Sequence, residues 1–246
     1  MIPELAELLK TSIEQSLEDK VAVAFSGGVD SSLIAYVAKQ NCEVGLFTCG
    51  TPISEDLVYA ERVASAMKLP LNKHIFEDSQ ILGIYEKCQK ICPGDLLKVE
   101  LLVPVYKVCE MAKEKGFTTM LFGSASEELF VGYERYYTYL AEGKDLDAIL
   151  KDEYKTLKSR DMNATERVCR YFGIKARFPF YNKDLADFVF AVPLELRMED
   201  RELKKGLIRE ASKLLGLTEI AINRKKRAMQ YGSGIHKVLL RHERSF

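Results

Sequence analysis

Residues 21–32 read VAVAFSGGVDSS, and this stretch constrains the fold more than any other. The small and β-branched run from Val21 to Phe25 reads as a buried parallel strand. It breaks at Ser26-Gly27-Gly28. A helical pattern starts near Asp30 and carries Leu33, Ile34, Val37 and Ala38 on one face. A strand, a glycine turn and a helix N-terminus in succession present backbone N–H groups and the positive end of a helix dipole, which suits an anion. Two adjacent glycines let the backbone approach phosphate oxygens closely. Ser26, Ser31 and Ser32 add hydroxyl donors. Asp30 would repel phosphate unless a cation bridges them, which points to Mg²⁺ beside a polyphosphate. The plainer reading is an ordinary tight turn. The complete string SGGVDSS after a strand argues against it, and the alternative phosphate loop GxxxxGKS/T does not occur.

The first half alternates strand and helix. Residues 42–47, 72–76 and 118–122 read as further strands. Residues 54–68 and 98–115 read as helices, with Leu57, Ala60, Ala64 and Met67 on one stripe of the first. Such alternation predicts an α/β fold, a parallel twisted sheet with helices on both faces. Ligands of such sheets bind outside the carboxyl ends of the strands. The turns after 21–25 and 118–122 should therefore face one crevice. From Glu134 onward the patterns are charged and helical, at 136–159, 161–172, 183–191 and 200–215, interrupted at Arg177-Phe178-Pro179-Phe180. The expected organisation is an α/β core over 1–134 and a helical C-terminal subdomain over 135–246 packed on it.

Charge narrows the function. Lys+Arg and Asp+Glu both number 36, so no global positive field draws nucleic acid to the chain. The opening MIPELAELLKTSIEQSLEDK is amphipathic and charged throughout, unlike a signal peptide, and no apolar run is long enough to span a bilayer. The expectation is a soluble cytoplasmic protein without membrane partners. The six cysteines, at 42, 49, 88, 92, 109 and 169, follow no disulfide or zinc framework and read as reduced, mostly buried thiols.

A second polar turn follows the 118–122 strand, in GSASEELFVGYERYY. Glu127 and Glu128 open a helix there. They can simply favour its N-terminus, with Ser124 or Ser126 as the cap, or they can bind Mg²⁺. SGGVDSS resembles the pyrophosphate-binding loop of the N-type ATP pyrophosphatases, whose fold is of the adenine nucleotide alpha hydrolase kind. Three further segments are similar to asparagine synthetases and related amide ligases. GSASEELFVGY at 123–133 resembles SGEGSDELFGGY, GIKARFPFYN at 173–182 resembles GLExRxPFLD, and RKKRAMQYGSG at 224–234 resembles RxKxxxxxGxG. FTCGTPISEDLVYAERVA at 47–64 is similar to the segment that meets adenine and ribose in that family.

The resemblance implies an ATP-dependent, AMP-forming ligase. An aspartate-like carboxylate is adenylated, pyrophosphate leaves, and an amine or ammonia attacks to give an amide. Ser26, Gly27, Gly28, Ser31 and Ser32 would cradle the β and γ phosphates. Asp30 and Glu127 would hold Mg²⁺, Glu127 replacing the family's aspartate. Cys49, through its backbone, would lie at the adenine ring, and Gly123 and Ser124 by the ribose and phosphate. Lys226 matches the catalytic lysine. On the residues alone it is a solvated or RNA-touching member of the RKKR run, and it is the spacing to Gly232 and Gly234 that assigns it. Arg177 either pairs with an acid or contacts substrate.

Three departures bear on the reading. The family's acid in SGEGS is Ser124 here, which leaves another group, such as Glu128, to take the amine's proton. The aspartate ending PFLD is Asn182. The family's N-terminal glutaminase domain has no counterpart before the phosphate loop. Two alternatives remain: a tRNA-modifying ATP pyrophosphatase, favoured slightly by the basic tail, and a non-catalytic nucleotide-binding subunit, favoured slightly by Ser124 and Asn182. Ammonia, an amine or a separate glutaminase subunit would supply nitrogen. With labelled ammonium or amide-labelled glutamine offered alongside ATP and the carboxylate, the isolated protein should take no label from glutamine. Label drawn from glutamine without an added subunit would contradict this.

Overall fold

A computed structural model describes residues 1–225 and 232–242. In chain order the elements are α1 (Ile2–Glu14), β1 (Lys20–Ala24), α2 (Val29–Ala38), β2 (Glu43–Gly50), α3 (Glu55–Met67), β3 (Leu71–Ile75), α4 (Asp78–Ile91), α5 (Leu96–Glu100), α6 (Leu102–Glu114) and β4 (Thr119–Leu121). The second half supplies α7 (Ser126–Leu129), α8 (Glu134–Ala141), α9 (Leu146–Leu157), a π-turn (Lys158–Met162), α10 (Asn163–Tyr171) and β5 (Lys175–Arg177). It ends with α11 (Lys183–Ala191), α12 (Leu194–Arg197), α13 (Gly206–Leu214), α14 (Glu219–Ile222) and α15 (Ile235–His242).

The five strands form one parallel sheet in the order β3-β2-β1-β4-β5. Helices cover both faces, as the alternation predicts. The two-residue period of the strands divides the core. Val21, Val23, Val44, Leu46 and Leu121 enter one apolar cluster, with α1, α2, α3, α11 and α13. Ala22, Phe47, Cys49, Met120 and Phe122 enter the other, with α4, α6, α10 and α15. Leu5, Leu9 and Ile13 of α1 are completely buried, so the amphipathic opening is a structural helix of the first cluster.

The chain runs from β1 outward to β2 and β3, then returns to the other side of β1 for β4 and β5. The direction of winding therefore reverses between β1 and β4, and a crevice opens above their carboxyl ends. Both polar turns singled out in the sequence end at this point.

Several boundaries differ from the periodicity. Residues 98–115 divide into α5 and α6 at Leu101. Residues 136–159 divide into α8 and α9 around Gly143, whose φ is 72°. Residues 200–215 yield a helix only from Gly206, because Lys204 and Lys205 have φ of 59° and 58°. Lys175–Arg177, which reads as part of an interruption between helices, is the edge strand paired with β4. Three residues are too few to show a strand period. Among the described residues no helix is long and apolar enough to cross a membrane. The six cysteines are free; five are buried and Cys42 is partly so.

Candidate active site

The phosphate-loop residues assemble where the sequence places them. Gly28 is the extended residue before α2 and brings no side-chain cap, so the first N–H groups of α2 are open to the crevice. Gly27 has a φ of 76°, and a Cβ there would lie 2.8 Å from the backbone of Tyr59 and Ala60 in α3. Only glycine fits that conformation against that neighbour. The loop closes on itself through long contacts. Ser26 N–H donates to Ser31 Oγ at 3.3 Å, and Gly28 N–H to Ser26 Oγ at 3.3 Å. Bonds of this length are weak and are readily exchanged for better acceptors. Ser32 Oγ is buried with no hydrogen-bond partner among the described residues.

The turn after β4 meets this loop. Gly123 packs on the start of α2, where a side chain would reach Asp30 Cβ at 3.2 Å. Two residues on, Ala125 has a φ of 78° and turns the chain into α7, which aims Glu127 back at Asp30. Ser124 is half-buried beside it. Cys49, near the end of β2, is buried, and its thiol donates to the Pro104 carbonyl at 3.6 Å.

Lys205 completes the centre, and the sequence does not reveal it. Its Nζ lies 2.8 Å from Asp30 Oδ2, 2.8 Å from Glu127 Oε1 and 2.9 Å from Ser126 Oγ, and the residue is 1% exposed. Burial acts to lower the pKa of this ammonium, but the two carboxylates more than offset it and hold the pKa above the ordinary lysine value. Lysine is therefore charged here at neutral pH. Because its pKa is raised on folding, the stability it contributes is complete below the ordinary lysine pKa and is lost only in strong alkali.

Two buried arginines brace this centre. Arg197, on α12, donates to the carbonyls of Glu128 and Leu129 at the end of α7 and pairs with Asp147 at 3.0 Å. Arg209, on α13, donates to the carbonyls of Leu203, Lys204, Ile222 and Arg224, fixing the turn that presents Lys205. Neither can be found by pattern, since each serves carbonyls whose approach depends on the tertiary fold.

The remaining candidates separate. Glu128 pairs with Arg160 of the π-turn at 3.3 Å. Burial pushes its carboxyl up to about 7. Asn182 caps α11, its Oδ1 accepting from Leu185 N–H at 3.1 Å, so this amide performs a capping role that an aspartate also can. Arg177 lies 3.8 Å from Glu18 and is half-exposed, an ion pair at the sheet edge. Lys226 lies outside the described residues. Among the described neighbours, Arg224 donates to the Ser26 carbonyl of the phosphate loop, and Thr51 N–H, after β2, donates to the Ser233 carbonyl at 2.8 Å.

Two of these residues suit a hard cation. Asp30 Oδ1 is buried with no hydrogen-bond partner among the described residues, and Glu127 stands across Lys205 from it. No group of three or more histidine, cysteine or acidic residues arranged for a metal occurs among the described residues. Mg²⁺ needs no such cage. It commonly takes one or two carboxylates and completes its shell with water and substrate phosphates.

The asparagine synthase family model matches residues 4–149 and 140–244. A Methanocaldococcus jannaschii protein named as a glutamine-hydrolysing asparagine synthetase is 31% identical over 272 residues, covering 96% of this chain and 50% of that one. Escherichia coli asparagine synthetase B is 24% identical over 251 residues, covering 94% of this chain and 45% of that one. The chain thus spans about half the length of the curated relatives it matches. Among solved structures, an NMN synthetase from Francisella tularensis superposes with a TM-score of 0.50 over 99% of this chain and 92% of that one, at 10% identity. That is a likeness of fold.

Glu128 gives a test by pH. Its folded pKa of about 7 exceeds the ordinary 4.5, so between these values the unfolded chain is the more ionised. Stability should fall as pH rises through that window, by about 3 kcal/mol in total. Glu128→Gln removes this titration. By urea denaturation the variant should match the parent near pH 4 and exceed it at pH 8. Equal stability at pH 8 would show that Glu128 ionises there without cost.

Proposed function

The chain belongs to the asparagine synthase family, and on that premise we propose that it is an ATP-dependent, AMP-forming amide ligase acting on an aspartate-like carboxylate. The observation that carries the reading is the buried Lys205, held between Asp30 and Glu127 at the mouth of the glycine loop. A cation fixed beside open helix N–H groups is built to receive polyphosphate.

In this reading Ser26, Gly27, Gly28, Ser31 and Ser32 bind the β and γ phosphates through backbone N–H groups and hydroxyls. Cys49, by its backbone, borders the adenine, and Gly123 and Ser124 border the ribose and α phosphate. Asp30 and Glu127 would hold Mg²⁺, which offsets phosphate charge when bound. A carboxylate oxygen of the substrate attacks the α phosphorus, the bond from that phosphorus to the bridging oxygen breaks, and pyrophosphate leaves with the electron pair. Lys226 stabilises the charge that grows at the α phosphate. Lys205, its three donors taken by Asp30, Glu127 and Ser126, holds the two carboxylates beside the departing pyrophosphate. The amine then attacks the acyl carbon, the bond to AMP breaks, and Glu128 takes up the amine's proton. A carboxyl with a pKa near 7 suits that exchange at neutral pH. Holding both substrates in one crevice supplies much of the rate.

Supplied with Mg·ATP, aspartate and ammonium, the protein should release AMP and pyrophosphate in equal amounts, resolved by phosphorus NMR. Release of ADP and phosphate would overturn the assignment.

A further inference from the structure

One buried guanidinium holds a carbonyl in the middle of the phosphate loop. Arg224 follows α14, and its Nη1 donates to the Ser26 carbonyl. Its Nη2 donates to Asp56 Oδ1 at the start of α3, and its central carbon lies over the Tyr59 ring, 4.6 Å from the ring centre. Asp56 and Tyr59, three residues apart, share one face of that helix and grip the same group. The Arg224 and Asp56 side chains are nearly inaccessible, at 5% and 7%. The backbone of Arg224 is fixed as well, since Arg209 Nη2 donates to its carbonyl at 2.9 Å. Arg224 thus ties α3 and α13 to the loop. With both terminal nitrogens committed and almost no exposed surface, it is placed to brace the loop and not to meet an anion itself.

The carbonyl it holds belongs to a peptide unit that glycine leaves free to turn. The Ser26 C=O and the Gly27 N–H share one planar trans unit, so the two groups point opposite ways. With the carbonyl on Arg224, the N–H faces away from it. Gly27 is buried, and its N–H makes no hydrogen bond to any described residue. A buried donor without an acceptor is costly, so this one is aimed at a partner that the described chain does not supply. Glycine takes φ of either sign at little cost, so Gly27 alone does not decide which way the unit faces. Flipped, the unit would turn its carbonyl oxygen to where the N–H stands, and a polyphosphate there would meet partial negative charge.

We propose that Arg224 is a positioning residue of the phosphate loop: held by Asp56, it fixes the Ser26–Gly27 peptide with its N–H toward the polyphosphate. This rests on the phosphate-binding role given to that loop under the proposed function. Arg224 meets no phosphate in this scheme and acts through the Gly27 N–H alone. Adenosine, which carries no phosphate, does not depend on it.

Calorimetry of Mg·pyrophosphate, Mg·ATP and adenosine on the full chain tests it. Arg224→Gln should weaken both phosphate ligands by about tenfold or more and leave adenosine near its parental affinity. Asp56→Asn should shift the same two ligands in the same direction. The double variant carries neither buried charge and should bind as Arg224→Gln does, because Asp56 acts through the arginine. It decides if thermal melting shows a single variant unfolded. In the parent, the Gly27 amide proton should move downfield in NMR spectra as Mg·pyrophosphate is added. Four results would each overturn the proposal while leaving the loop its role: parental affinity for both phosphate ligands in a folded Arg224→Gln protein, an equal loss for adenosine, a double variant weaker than Arg224→Gln, or a Gly27 resonance unmoved at saturation. A parent that binds neither pyrophosphate nor Mg·ATP would overturn the role of the loop and the proposal with it.

Discussion

Two carboxylates from opposite sides of the sheet's switch point, Asp30 on α2 and Glu127 on α7, converge on one ammonium. Without Lys205 they would repel each other in a partly desolvated crevice, and the turn after β4 would have no charge to hold it against the phosphate loop. With Lys205 that repulsion is offset and the three elements are locked: the glycine loop, the α7 turn and the entry to α13. The same arrangement leaves the site net negative by one among these three groups, a balance suited to a divalent cation arriving with a polyphosphate.

The backbone around the triad is held in conformations that L-residues seldom adopt. Ala125, Val131, Lys204 and Lys205 all have positive φ, from 53° to 78°. Each costs about 1–3 kcal/mol. Val131 is the clearest case, since a β-branched residue gains nothing local from that conformation. The cost is offset by groups that over-determine these turns. Arg197 collects the carbonyls ending α7, and Arg209 those flanking Lys205. Strain concentrated in the two turns that face the crevice, and buried cations spent on bracing them, describe a site arranged before its ligand arrives.

What could be read from the sequence follows the range of the interactions. SGGVDSS encodes its own geometry locally, as strand, positive-φ glycine and open helix start, and Gly27 and Gly28 take those places. The parallel sheet follows from alternation alone. Lys205 was beyond reach because its partner Asp30 is 175 residues away, and its own segment resembles the continuation of a helix that in fact starts one residue later. β5 is too short to carry a period. Arg197 and Arg209 look like ordinary members of charged helices. Asn182 is a milder case: read as a departure from the family's aspartate, it caps α11 by the same kind of bond.

Lodged between Asp30 and Glu127, Lys205 would form the floor of a polyphosphate site. Isothermal calorimetry of Mg·ATP on the parent and on Lys205→Gln, with circular dichroism to establish that the variant is folded, tests it most directly. Loss of one charge-assisted hydrogen bond is worth about 1.5–3 kcal/mol, so affinity should fall by about tenfold or more. A folded Lys205→Gln protein that binds Mg·ATP as tightly as the parent would contradict the account.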